Sequence, residues 1–220
     1  IKNSFINNSN AGVLLLNSGK KYFDYKNIHY YNRVDDKGTA INAFKVQQSV
    51  IFSATISHNR ATGPGGGMIF DECDTVYVSK CFFMHNLAGN DGGAVAFSKI
   101  RNYLSILYCY FNENFGKYKG GSIALTDVLN FNLLKSQFQK EIVKDKGGAL
   151  YLSCEQQECK VRIKIVKFIS NRAQSEAAAL YVWSSTEIFI SKTLFALNRA
   201  EVRAGALFVY LSSNLRTTIN

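Results

Sequence analysis

The chain has 220 residues and carries 26 Lys and Arg against 16 Asp and Glu, a formal net charge of +10 at neutral pH. Its hydrophobic fraction of 47% excludes a disordered chain and is enough for a continuous core. One proline, many β-branched and aromatic residues and no apolar run long enough to cross a bilayer exclude a spanning helix and point to an all-β protein.

The chain opens on Ile1 with no basic-then-apolar leader and closes on Thr217-Thr218-Ile219-Asn220, which reads as the start of a further strand. It is therefore expected to be one domain over 1–220 and a piece of a longer protein. From the N-terminus onward, one unit recurs, clearest as Phe83-Met84-His85-Asn86 followed by Gly92-Gly93-Ala94-Val95-Ala96-Phe97. Its centres fall on Asn8, Asn32, Asn59, Asn86, Asn114, Glu141, Asn171 and Asn198, intervals of 24, 27, 27, 28, 27, 30 and 27 residues.

Three residues before the centres stand Phe5, His29, Ile56, Phe83, Phe111, Phe138, Phe168 and Phe195. After them come two wholly apolar columns in strand period, Leu14 to Leu207 and Leu16 to Val209. A third apolar stretch, such as Val161-Arg162-Ile163-Lys164-Ile165, precedes each centre. The pattern predicts a right-handed parallel β-helix of about eight coils of about 27 residues, with three short strands per coil and a length of roughly 40 Å. The glycine pair alternates with Ala177-Ala178, Ala204-Gly205 and Gly38-Thr39, so small size in a crowded corner, not positive φ, is expected to be the requirement. The central asparagines are expected to form a ladder, with Glu141 interrupting it as an exposed or paired charge.

Phe-x-x-Asn followed by Gly-Gly-Ala-(Ile/Leu/Val), best seen in Phe83, Asn86, Gly92, Gly93, Ala94 and Val95 and then in Phe111, Asn114, Gly120, Gly121, Ser122 and Ile123, resembles the repeat of the chlamydial polymorphic outer membrane proteins. The resemblance covers nearly the whole chain and implies a pectin-lyase-like β-helix used as a surface adhesin.

Asp35-Asp36, Asp71-Glu72-Asp74 and Asp127 sit at different phases of the repeat, and none has an acidic copy in the next coil, so no catalytic residues and no cofactor are expected. His58, His85 and Glu113 share one column, a weak metal candidate against the plainer reading of three exposed polar residues. Cys154 and Cys159 bracket a short insertion and are a disulfide candidate; Cys81 and Cys109 read as packed thiols, and Cys73 has no evident partner. Lys160, Arg162 and Lys164 alternate with Val161, Ile163 and Ile165, giving a basic face open to acidic polysaccharide, nucleic acid or anionic lipid, or simply solvated.

The column between the two apolar ones, including Leu15, Ile69, Tyr151, Tyr181 and Phe208, is expected to point outward beside the small residues Val13, Ala40, Gly67, Ala94, Ser122, Ala149, Ala179 and Ala206, making a flat apolar contact face unless a loop covers it. The expectation is a non-enzymatic structural or adhesive protein at the cell surface or outside the cell, making protein contacts or self-associating, with end-to-end stacking possible. A carbohydrate-binding or polysaccharide-cleaving β-helix and a scaffold subunit of a large complex are the alternatives. No nucleic-acid partner is expected, because the base-stacking aromatics and motifs of such modules are missing.

Overall fold

The structure, a computed structural model, describes residues 4–6, 14–156, 158–184, 187–210 and 214–218; the expected first centre Asn8 and Val13 lie outside them. Among the described residues there is no helix, hence none long and apolar enough to cross a membrane. Every strand pairs in parallel with its copies in the coils before and after it, which makes a β-solenoid.

Four sheets run along the solenoid, where three strands per coil were expected. A phenylalanine sheet holds eight strands from Ser4–Ile6 to Leu194–Ala196, an aliphatic sheet eight from Leu14–Asn17 to Leu207–Tyr210, and a long sheet eight from Lys21–Tyr25 to Asn214–Thr218. The additional sheet is short, with seven two-residue strands from Arg33–Val34 to Arg199–Ala200. Two residues carry no readable alternation, which is why the sequence hides it. Eight stacked strands enclose about seven turns.

Within the strands the period of two decides which side chains fill the shaft. Val76 and Val78 are buried while Thr75, Tyr77 and Ser79 between and beside them face out. Phe83, Phe111, Phe138 and Phe168 stack ring on ring with centroids 4.7, 4.5 and 5.0 Å apart, and Phe195 continues the column at 5.2 Å. The parallel register places each ring directly over its copy.

The corners between strands are made by single left-handed residues. Lys80 between the long and phenylalanine sheets has φ 54°, His85 before the short sheet 54°, Gly92 before the aliphatic sheet 68° and Lys99 after it 51°. The first glycine of each pair is therefore needed for positive φ, contrary to the expectation from Ala177 and Ala204, which adopt φ of 53° and 52° themselves. Crowding does govern the second: a Cβ on Gly93 would run into the Gly121 carbonyl of the next coil. Left-handed backbone costs a non-glycine residue about 1–2 kcal/mol. Inside the stack it is held because the corner amide closes a ladder bond, as from Lys80 N to Leu107 O at 2.9 Å, from His85 N to Asn112 O at 3.0 Å and from Ala177 N to Arg203 O at 2.9 Å.

The central asparagines are buried and form the expected ladder. Asn59 Nδ2 donates to Asn86 Oδ1 at 3.0 Å, and Asn86 Nδ2 to Asn114 Oδ1 at 3.0 Å. The same amides donate sideways to the carbonyls of His29 and Ile56, and each backbone amide in the ladder also bonds the next side-chain oxygen. Glu141 does not leave this column for solvent or for a cation: it is fully buried, and its Oε2 accepts from Asn114 N at 2.9 Å. Its Oε1 has no partner, and burial pushes its carboxyl up to about 8. A neutral acid, like an amide, offers both an acceptor and a donor, which is why it can stand in an asparagine column.

Two measurements test this core. Phe111→Ala should lower unfolding free energy by about 4 kcal/mol, with a clearly smaller loss for the half-buried Phe195→Ala at the column's end; equal losses in urea titrations would contradict a continuous stack. Folded Glu141 keeps a proton that the unfolded chain releases from about pH 4.5, so stability should fall as pH rises and level off above about 8, by on the order of 5 kcal/mol in all. Glu141→Gln should flatten that slope and be the more stable protein at pH 8; a variant with the wild-type slope would assign the pH dependence to another group.

Candidate functional site

The expected apolar contact column stacks as predicted, but it is covered. Tyr151, Tyr181 and Phe208 lie ring over ring at 5.3 and 5.0 Å, yet Tyr151 is 5% exposed, Tyr181 1% and Ile69 4%. The glycine corner arches back over the aliphatic sheet, so that Gly38 lies against Ile69 and Ala177 packs on the tyrosines. Lys119 Nζ stands 4.9 Å over the Tyr151 ring and Lys146 Nζ 5.3 Å over that of Tyr181. Phe208 is half-buried, and Leu15, near the described N-terminal end, alone stays open at 64%. The flanking small column does not point out either: Ala40, Ala94, Ala149 and Ala179 are core residues, because the strands begin one position later and these residues turn in at the corner.

The basic residues do face solvent. On the strand Lys160–Lys164 the three cations alternate with buried Val161 and Ile163. In register on one side lie Asn130, Asn132 and Leu134, and on the other Glu187, Phe189 and Ser191. These side chains enclose two adjoining depressions of about 490 and 400 Å³ that share Asn132 and Arg162, with Phe189 at one end and Tyr103 at the other. Elsewhere the carboxylates are taken up by cations: Glu72 by Lys45, Lys99 and Arg101, Glu176 by Lys146 and Arg203, Glu201 by Arg172. The carboxylate in register with the three cations is that of Glu187, beside Lys160.

The same outer face of the long sheet turns aromatic toward the N-terminal coils. Phe23 is 63% exposed, Tyr25 stacks on Phe52 at 5.6 Å, and Tyr77 and Tyr103 lie 6.0 Å apart. This apolar strip was missed in the sequence, although Thr75-Val76-Tyr77-Val78-Ser79 contains the signal: once the valines are assigned inward, Tyr77 must be outward. The open aromatic face is thus on the long sheet, one corner away from where it was expected.

His58, His85 and Glu113 do stack, with rings 4.7 Å apart and His85 Nδ1 at 3.4 Å from Glu113 Oε2. They do not form a ligand set. Lys140 bonds Glu113 at 3.1 Å and holds that carboxyl below the usual carboxylate range, and burial, with His85 beside it, lowers His58. Among the described residues no three His, Cys, Asp or Glu side chains are grouped to hold a metal ion. Cys154 and Cys159 are joined in a disulfide with Cα atoms 6.0 Å apart, and Asp127 Oδ1 accepts from the amides of Glu155 and Gln156 in the clipped loop. Cys73, Cys81 and Cys109 are buried free thiols.

One polar cluster was not foreseen. In the coil of Tyr22 to Tyr30 three shaft positions are polar: His29 Nε2 lies 3.1 Å from Asp24 Oδ2, and Asn27 Nδ2 bonds the other carboxylate oxygen. Burial, reinforced by Asp24, pushes the Tyr22 phenol well up. All of Asp24, Asn27 and His29 are shut off from solvent, so the arrangement is a polar plug in the shaft and offers a substrate no access. Comparison of the chain with family models, with curated proteins and with solved structures finds no match.

Proposed function

We propose that this chain is a non-enzymatic, adhesive or structural β-solenoid that acts by presenting the outer face of its long sheet to a protein partner, a second copy of itself included. The observation that carries the reading is the run of Phe23, Tyr25, Phe52 and Tyr77 on that face, apolar surface that a soluble rod ordinarily hides. The stacked architecture suits the role, since a parallel solenoid is stiff along its axis and offers the same column of contacts coil after coil. The likeness of its Phe-x-x-Asn and Gly-Gly-Ala repeats to the polymorphic outer membrane proteins supports adhesion, and the Cys154–Cys159 bridge supports an oxidising compartment, outside the cell or on its surface.

The acidic residues argue the same way. Asp35 and Asp36 stand exposed in a corner, Glu72 and Asp74 are engaged by Arg101, and Asp127 is bonded to loop amides, so they do not converge on one reacting point.

Sedimentation velocity over a concentration series tests the proposal. The wild-type chain should associate reversibly, and Phe23→Ser, Tyr25→Ser, Phe52→Ser and Tyr77→Ser combined should stay monomeric with an unchanged strand spectrum and melting temperature. A wild type that remains monomeric up to its solubility limit, or a variant that associates equally well, would overturn it.

A further inference from the structure

We infer that the trough on the long sheet formed by Asn130, Asn132, Lys160, Arg162, Lys164 and Phe189 binds a linear acidic polysaccharide. The inference rests on the reading that the outer face of this sheet is the working surface, and adds a second ligand class to it.

The chemistry of the trough selects the ligand. Three cations on one strand point the same way at every second residue, against the single carboxylate of Glu187 in register with Lys160, so the trough keeps an excess of positive charge and favours a polymer that brings anions in series. Arg162 at the centre can take a carboxylate or sulfate through two parallel N–H donors, whereas Lys160 and Lys164 act as point charges on either side. Asn130 and Asn132 in the adjoining coil supply amides, each both donor and acceptor, a match for hydroxyl groups. Phe189, in register with Arg162 and 36% exposed, offers a ring face at one end, and Tyr103 another at the opposite end.

A nucleic acid is the less fitting occupant. Single-stranded binding needs aromatic platforms for successive bases, and the trough has one ring at each end with amides between them.

Calorimetric titration of the full chain with polygalacturonate, heparin, neutral dextran and single-stranded DNA tests the inference. Binding to one of the two acidic glycans is expected, with no heat for dextran and weaker binding of DNA. Arg162→Gln with Lys164→Gln should weaken glycan binding at least about tenfold. Phe189→Ala and Asn132→Ala should weaken it severalfold even in high salt, where bare charge attraction is screened. Lys20→Gln with Lys37→Gln, which removes the same charge from coils at the N-terminal end, should leave it unchanged. Equal losses for trough and N-terminal variants, equal binding of dextran or tighter binding of DNA would each overturn the inference. Absent glycan binding with self-association intact would sink it alone; absence of both would also remove the contact function proposed above.

Discussion

The constraint on which this molecule depends is that no coil satisfies its own backbone. Among the described residues inside the stack, strand and corner amides donate to the coil above or below, so the chain must return to the same height and direction once per turn. In-register return is what places like side chains over like. Once Phe111 is fixed over Phe138, Asn114 must lie over Glu141 and Leu104 over Phe131, because all belong to the same pair of coils. The ring stacks, the amide ladder and the outward columns are therefore one property read at different corners of the coil.

That coupling explains which parts of the structure the sequence displays. The inward columns were legible because an error of one residue would put phenylalanine and leucine in water, and the residues at Phe83, Phe111 and Phe138 record the selection openly. The corners were not legible. Lys80, His85 and Lys99 do not look like left-handed residues, since their φ is imposed by ladder bonds on both flanking strands and not by intrinsic preference. The same blindness led from Ala177 to the wrong inference about Gly92: both are left-handed, glycine without strain and alanine under tertiary control.

The candidate site was half legible for a related reason. Alternation shows which residues leave the shaft but not what lies outside it. Tyr151 and Tyr181 do point out from their strands, and they are buried nevertheless, because the glycine corner, with Ala177 and the Lys119 and Lys146 side chains, lies over that side. On the long sheet no such layer follows, the strand running straight into a single-residue corner at Lys80 or Lys135, so Phe23 and Arg162 stay open. An outward column becomes a surface only where the next connection is tight, and connection length was the feature least visible in the repeat.

Charge placement completes the argument for where the molecule meets its surroundings. In the shaft the one carboxyl of the amide ladder, Glu141, is pushed up to about 8 by burial, and the other buried acid, Asp24, is bonded to His29 and Asn27. Outside, Glu72, Glu113, Glu176 and Glu201 each sit against Lys or Arg. The chain still carries a net charge of +10. At Lys160, Arg162 and Lys164 three cations meet one carboxylate, Glu187, on a rigid strand beside exposed aromatic rings, and a field focused there acts on approaching anions before any contact forms.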